Sequence, residues 1–102
     1  MTLYEILQTT GIPCVYSHFR DKNKPVQPPY IAYIGQGQNT FDADNTHYYR
    51  ENSYQIEYYF TSKNETLETA IEDKLLDNGF LYEKSEDVFI EEEGVFVIYY
   101  TI

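Results

Sequence analysis

Cysteine, tryptophan and positive charge are what this chain of 102 residues has least of. A single Cys, Cys14, excludes an internal disulfide framework and any zinc site built from several thiolates. The absence of Trp leaves a poor platform for sugar rings, which weighs against glycosidase chemistry. Seven Lys and Arg stand against 17 Asp and Glu, a formal net charge of -10. Reading nucleic acid begins with neutralising phosphates, so a chain this acidic is a poor reader of DNA or RNA. An anionic membrane surface repels it for the same reason. No apolar run approaches the roughly 20 residues that span a bilayer. Met1–Thr10 has no basic start followed by an apolar stretch, so a signal peptide is not expected. These absences point to a soluble, acidic, cytosolic single domain covering residues 1–102.

Acid and aromatic residues are what the chain is rich in. The 12 Tyr and 6 Phe make it 18% aromatic. The acid is uneven: Met1–Glu51 has five acids and four bases, Asn52–Ile102 twelve and three. Glu83–Glu93 is densest, with six acids and one Lys. Such a run is either a solvated edge that maintains solubility or a surface that repels a polyanion or meets a basic partner.

Local patterns predict two helices. Thr2 and Glu5 have capping-box spacing, Leu3, Ile6 and Leu7 recur at helical spacing, and Gly11 is a natural stop. Two turns do not stand alone in water, so this helix must dock. Ser62 and Glu65 have the same capping spacing before a second helix. Its inner face reads Leu67, Ala70, Ile71, Leu75 and Asn78, with Glu68, Glu72, Asp73 and Asp77 outside, and Asn78-Gly79 closes it.

Strands are expected at Cys14–Phe19, Tyr30–Ile34, Tyr48–Thr61, Phe80–Glu83, Val88–Ile90 and Val95–Ile102, with a turn at Glu91–Gly94. Arg20–Pro29, with three Pro, reads as a connecting loop. Gly35–His47 shows no periodicity and reads as a long loop, uncommon in a compact domain unless it has a task. This order of elements predicts an α+β fold: a mixed or antiparallel sheet with two helices packed on one face. The adjacent pairs Tyr48-Tyr49, Tyr58-Tyr59 and Tyr99-Tyr100 should send one ring to each face of the sheet. Inner rings then fill the core. Outer rings either cover the sheet surface or make a protein contact.

Catalytic motifs are missing. His18 and His47 do not form a zincin-like pair, and no further ligands can be placed for a metal. Cys14 lies in an expected strand without a catalytic neighbourhood and reads as a buried, inert thiol. There is no Gly-x-Ser-x-Gly, and Gly35-Gln36-Gly37 lacks the rest of a dinucleotide fingerprint or a P-loop. Asp42 and Asp44 match part of an EF-hand loop but lack its Gly and distal Glu. No enzyme activity, cofactor or metal is therefore expected.

A different likeness runs through the chain. Its residues are Leu3-Tyr4-Glu5-Ile6-Leu7, Pro29-Tyr30-Ile31-Ala32-Tyr33-Ile34-Gly35, Tyr54-Gln55-Ile56-Glu57-Tyr58-Tyr59 with Thr61-Ser62-Lys63, Leu75 to Gly79-Phe80, and Glu86 to Phe96. Together they resemble the tail-completion proteins of siphophages and prophages of Gram-positive bacteria, also called tail-to-head joining proteins or tail terminators. The resemblance covers nearly the whole chain and consists of strand and helix patterns without catalytic signatures. It implies a small α+β fold and a homo-oligomeric ring, typically hexameric, at the head-proximal end of the tail tube. That ring stops tube polymerisation and docks the capsid connector. DNA passes through its lumen without specific binding. The implied partners are the tail-tube protein and the head-tail connector proteins, with no membrane. The implied location is the virion tail, and the host cytoplasm during assembly.

On that reading the Gly35–His47 segment and the outward tyrosines are candidate contacts with a neighbouring subunit or the tube: Asn39, Thr40, Phe41, Asp42, Asp44, Tyr48 and Tyr59. Glu91, Glu92 and Glu93 are the candidate acidic lumen surface. A neck adaptor of the same particle, or an acidic DNA mimic that occupies a nuclease, are the competing readings.

Overall fold

The computed structural model describes residues 2–16, 27–43 and 47–102, with backbone alone at 37–43 and 47–52. Helix α1 (Leu3–Gln8) is followed by strands β1 (Cys14–Tyr16), β2 (Tyr30–Ala43) and β3 (His47–Phe60). Helix α2 (Glu65–Asp77) comes next, then β4 (Glu83–Lys84), β5 (Val88–Ile90) and β6 (Val95–Thr101). The strands form one mixed sheet in the order β1-β2-β3-β6-β4, with β5 also paired to β6. β1 runs parallel to β2, and the other pairings are antiparallel. The fold is α+β, with both helices on one face.

Alternation along the strands fixes that face. Ile56, Tyr58 and Phe60 of β3 and Ile98 and Tyr100 of β6 point the same way, together with Ile31 of β2. They pack against Leu3 and Leu7 of α1 and Ile71 and Leu75 of α2, with Ile12 closing one side. Tyr58 and Tyr100 are fully buried, whereas their neighbours Tyr59 and Tyr99 lie on the opposite face, half-buried. Phe60 faces Phe96 across the β3–β6 pair, ring centroids 5.4 Å apart, and Tyr58 stacks on Phe60 at 5.3 Å. Offset aromatic pairs of this kind add to the area they bury.

The helix ends follow local chemistry. Thr2 caps α1 with its side chain accepting from the Glu5 N–H, and the Glu5 carboxylate returns to the Thr2 N–H. Removing this reciprocal cap with Thr2→Ala is expected to destabilise the fold by about 1 kcal/mol, read from the urea unfolding midpoint. The α2 cap is one correction: Asn64, rather than Ser62, accepts from the Leu67 N–H. Asn64 stands one residue before the helix, where its side-chain oxygen reaches an orphan N–H of the first turn. At the other end Phe80 N donates to Leu75 O at 2.9 Å and Gly79 N to Leu76 O at 3.0 Å. Gly79 has φ 84, the left-handed geometry that this double bond requires. Asn78, expected on the inner face of α2, is the exposed C-cap instead.

Three further expectations need correction. Glu68 was expected on the wet side of α2, but it is buried, 3% exposed, and Glu72 is half-buried. The expected Phe80–Glu83 strand is confined to Glu83–Lys84. The largest change is at Gly35–His47. β2 continues as a strand to Ala43, and β3 begins at His47, so the expected loop is most of a long hairpin. Its polar residues show no alternation, and pairing with β3 makes them a strand. Positions 44–46 lie outside the described residues. So does the expected strand extension Ser17–Phe19.

β4 and β5 together make one interrupted edge strand. Lys84 lies opposite Tyr100 and Val88 opposite Val97, so the edge carries one residue more than β6 between them. Ser85 fills the break: its N–H donates to Tyr99 O at 2.8 Å, and its Oγ accepts from Tyr99 N at 2.9 Å. The β6 ladder thus stays satisfied across the bulge.

Candidate assembly surfaces

Two parts of the molecule stand apart from the packed body, and they lie at opposite ends of it. The first is the distal half of the β2–β3 hairpin. β6 accompanies β3 only as far as Gln55, with a last bond pair between Tyr54 and Ile102. Among the described residues, β1 accompanies β2 as far as Tyr33. Beyond a register shift between Gly35 and Gln38, six further pairs run from Gln38–Asn52 to Ala43–His47. Among the described residues no third strand borders this stretch. The result is a two-stranded arm about 20 Å long. It stretches the molecule to 50 × 27 × 26 Å and the radius of gyration to 15.2 Å, against about 13 Å for a compact chain of this length.

The arm collects most of the candidate contact residues. Asn39 lies opposite Glu51, Thr40 opposite Arg50, Phe41 opposite Tyr49, and Asp42 opposite Tyr48. Asp44 lies outside the described residues. Tyr59 does not join them. It sits eleven residues further along β3 than Tyr48, roughly 36 Å away along the strand. There it stacks on Tyr30 with centroids 4.8 Å apart and donates to Glu57 Oε1 at 2.7 Å. Burial, followed by that bond to Glu57, holds its phenol far above the ordinary tyrosine value. It is tied into the sheet face that carries no helix.

The second part is the opposite end. β5 borders β6 on one side and, among the described residues, no strand on the other. Phe89 is 51% exposed and Val88 is also exposed. The strand is flanked by Glu86 and Asp87 on one side and Glu91, Glu92 and Glu93 on the other. These last three occupy the turn into β6 that Gly94, at φ 67, completes, and all three are exposed. β6 starts at this turn and ends beside the root of the arm, so the acidic turn and the arm are at opposite ends of the sheet.

Between them, on the helix side, lies an ion-pair network that sequence reasoning missed. Lys63 Nζ is 2.8 Å from Glu68 Oε2 and 3.0 Å from Asp87 Oδ2. Lys84 Nζ is 3.0 Å from Glu68 Oε1 and 2.9 Å from Glu72 Oε2. Tyr100 Oη donates to Glu72 at 2.8 Å and Tyr82 Oη at 3.3 Å. Two lysines from outside α2 thus let a glutamate on that helix be buried. The bond to Glu68 outweighs burial and, with Asp87, pushes Lys63 up to about 12. Burial raises Glu72, but its bonds to Lys84, Tyr100 and Tyr82 bring it below the ordinary carboxylate value. The signal available in the sequence was weak: Glu68 and Glu72 at i, i+4 on a helix resemble any solvated face. The network binds the edge segment Lys84–Asp87 to α2 and so holds β5 in place.

Cys14 packs partly buried against the core, and desolvation pushes its thiol up to about 11. That is the environment of an inert thiol. Among the described residues no cluster of three or more His, Cys, Asp or Glu is arranged to hold a metal. No helix among them is long and apolar enough to cross a membrane, which says nothing of strands. Comparison with known protein families, with curated proteins and with solved structures finds no match to this chain.

Proposed function

We propose that this protein is a tail terminator of the tail-to-head joining type, a structural ring subunit that caps the phage tail tube and docks the capsid connector. The observation that carries the reading is the two-stranded arm projecting from one end of the sheet, opposite an open edge at the other. A two-stranded hairpin is marginal by itself in water, and an open apolar edge invites pairing. Both features favour a chain that completes itself against other chains. The surfaces differ, so association is head-to-tail, the type of contact that closes into rings. The resemblance along the sequence supplies the biological setting.

Solution mass by light scattering, for the protein alone and with the tail-tube protein of the same genome, tests this reading. A ring, alone or on the tube, is expected. A monomer that ignores the tube overturns the reading, and portal and nuclease partners would be tested next.

In such a ring, the exposed Glu91, Glu92 and Glu93 would face the lumen, where negative charge prevents passing DNA from sticking. Changing all three to Lys is expected to slow or trap DNA and to lower infectivity. Unchanged infectivity removes these residues from the lumen.

A further inference from the structure

We infer that the β3 edge of the arm, His47–Asn52, docks as an added strand on the β4–β5 edge of a second copy of this chain. The inference rests on the ring reading above and names its interface. Three observations converge on it.

First, the two edges are complementary in position. The arm leaves one end of a 50 Å axis and the β5 edge occupies the other. Copies arranged head-to-tail bring exactly one arm to one edge, and every copy uses both surfaces.

Second, the β5 edge is closed to its own kind. Two such edges pairing antiparallel about Phe89 would set Asp87 against Glu91 and Glu86 against Glu92 in both directions. Directly opposed like charges destabilise a strand pair. The exposed Val88 and Phe89 therefore call for a different, less acidic strand.

Third, the β3 half of the arm is that strand. His47–Asn52 carries Arg50 with one acid, Glu51, and includes Tyr48 and Tyr49. The β2 half, Gln38–Ala43, has Asp42 and no base. A strand bearing a guanidinium suits an edge flanked by five carboxylates better than one bearing only a carboxylate. Main-chain bonds supply the contact, and the apolar side chains of β5 supply its preference.

Cross-linking tests the pairing. Tagged copies with Tyr48→Cys are mixed with untagged copies with Val88→Cys, at concentrations and with tube protein where assembly is followed by light scattering. A short thiol-to-thiol cross-linker should join the two variants into mixed species, while neither variant alone, nor the unaltered chain with its slow Cys14, should link. Hydrogen exchange on the unaltered chain provides a second readout. The amides of 47–52 and of Val88–Ile90 that face the open edges should exchange rapidly in the monomer and become protected together on assembly. Rings that form with arm-to-arm links, or with Val88–Ile90 still unprotected, overturn this pairing and leave the ring standing. A monomer under every condition overturns both.

Discussion

A chain in which Gly35 is joined to Tyr54 through a short Gly-containing loop is expected to stay folded and to lose assembly completely. The deletion removes residues 36–53 and leaves every core residue among the described side chains in place. Gly35 and Tyr54 are already opposite each other in register, so a short Gly-containing loop of about four residues can join them. Among the described side chains, the deletion removes the bond from Ser53 Oγ to Ile102 O at 3.0 Å. Thermal unfolding should therefore move by less than about 5 °C, the equivalent of about 1 kcal/mol in a domain of this size. Light scattering should report a monomer with and without tube protein. Rings built by the shortened chain would remove the arm from the interface, whatever its partner.

The second large effect is expected from the lysines. Lys63→Met with Lys84→Met leaves Glu68 buried without a counter-ion. Stranding a buried charge costs roughly 3 to 5 kcal/mol. Adding Glu68→Leu to that background should recover most of the loss, because a buried ion pair and an apolar side chain of similar volume are close in stability. Urea midpoints of the double and triple variants check both steps. A double variant as stable as the parent would show that the network contributes nothing.

The same network gives an acid dependence with a definite sign. Glu72 is more acidic folded than unfolded, despite its burial, because Lys84, Tyr100 and Tyr82 favour its charged form. Its contribution is complete above the unfolded Glu value of about 4.3 and is lost as pH falls through the lower folded value. Lys84→Met alone should therefore flatten the acid limb of the stability curve and shift its midpoint upward.

How much was legible depends on the range of the interaction. The ends of α1 and α2 follow bonds spanning three to five residues, so Thr2, Glu5 and Asn78-Gly79 marked them. The body of β3 was visible because one face of it is buried, which imposes alternation of period two, whereas β6, buried on both faces, was visible as a run rich in Val, Ile, Phe and Tyr. The split of Tyr58-Tyr59 and Tyr99-Tyr100 between faces follows from the same geometry.

Elsewhere the deciding partner lay far along the chain. Glu68 reads as solvated until Lys63 and Lys84 arrive from the β3–α2 link and from β4. Gln38–Ala43 has no apolar alternation and, besides Thr40 and Phe41, no strong strand formers, and it is extended because Asn52–His47 runs beside it in register. Only that pairing turns an expected loop into an arm.

By itself, then, the sequence determined the α+β class, the two helices with the cap of the first, the buried tyrosines and the acidic, single-cysteine character. Those properties depend on composition, on period and on neighbours within one turn or one strand. The tertiary structure alone decided that α2 buries a glutamate, that Asn39–Asp42 and Tyr48 share an arm from which Tyr59 is excluded, and that this arm and the β5 edge end up at opposite poles. Sheet order and register bring together residues dozens of positions apart, and no local pattern carries that information.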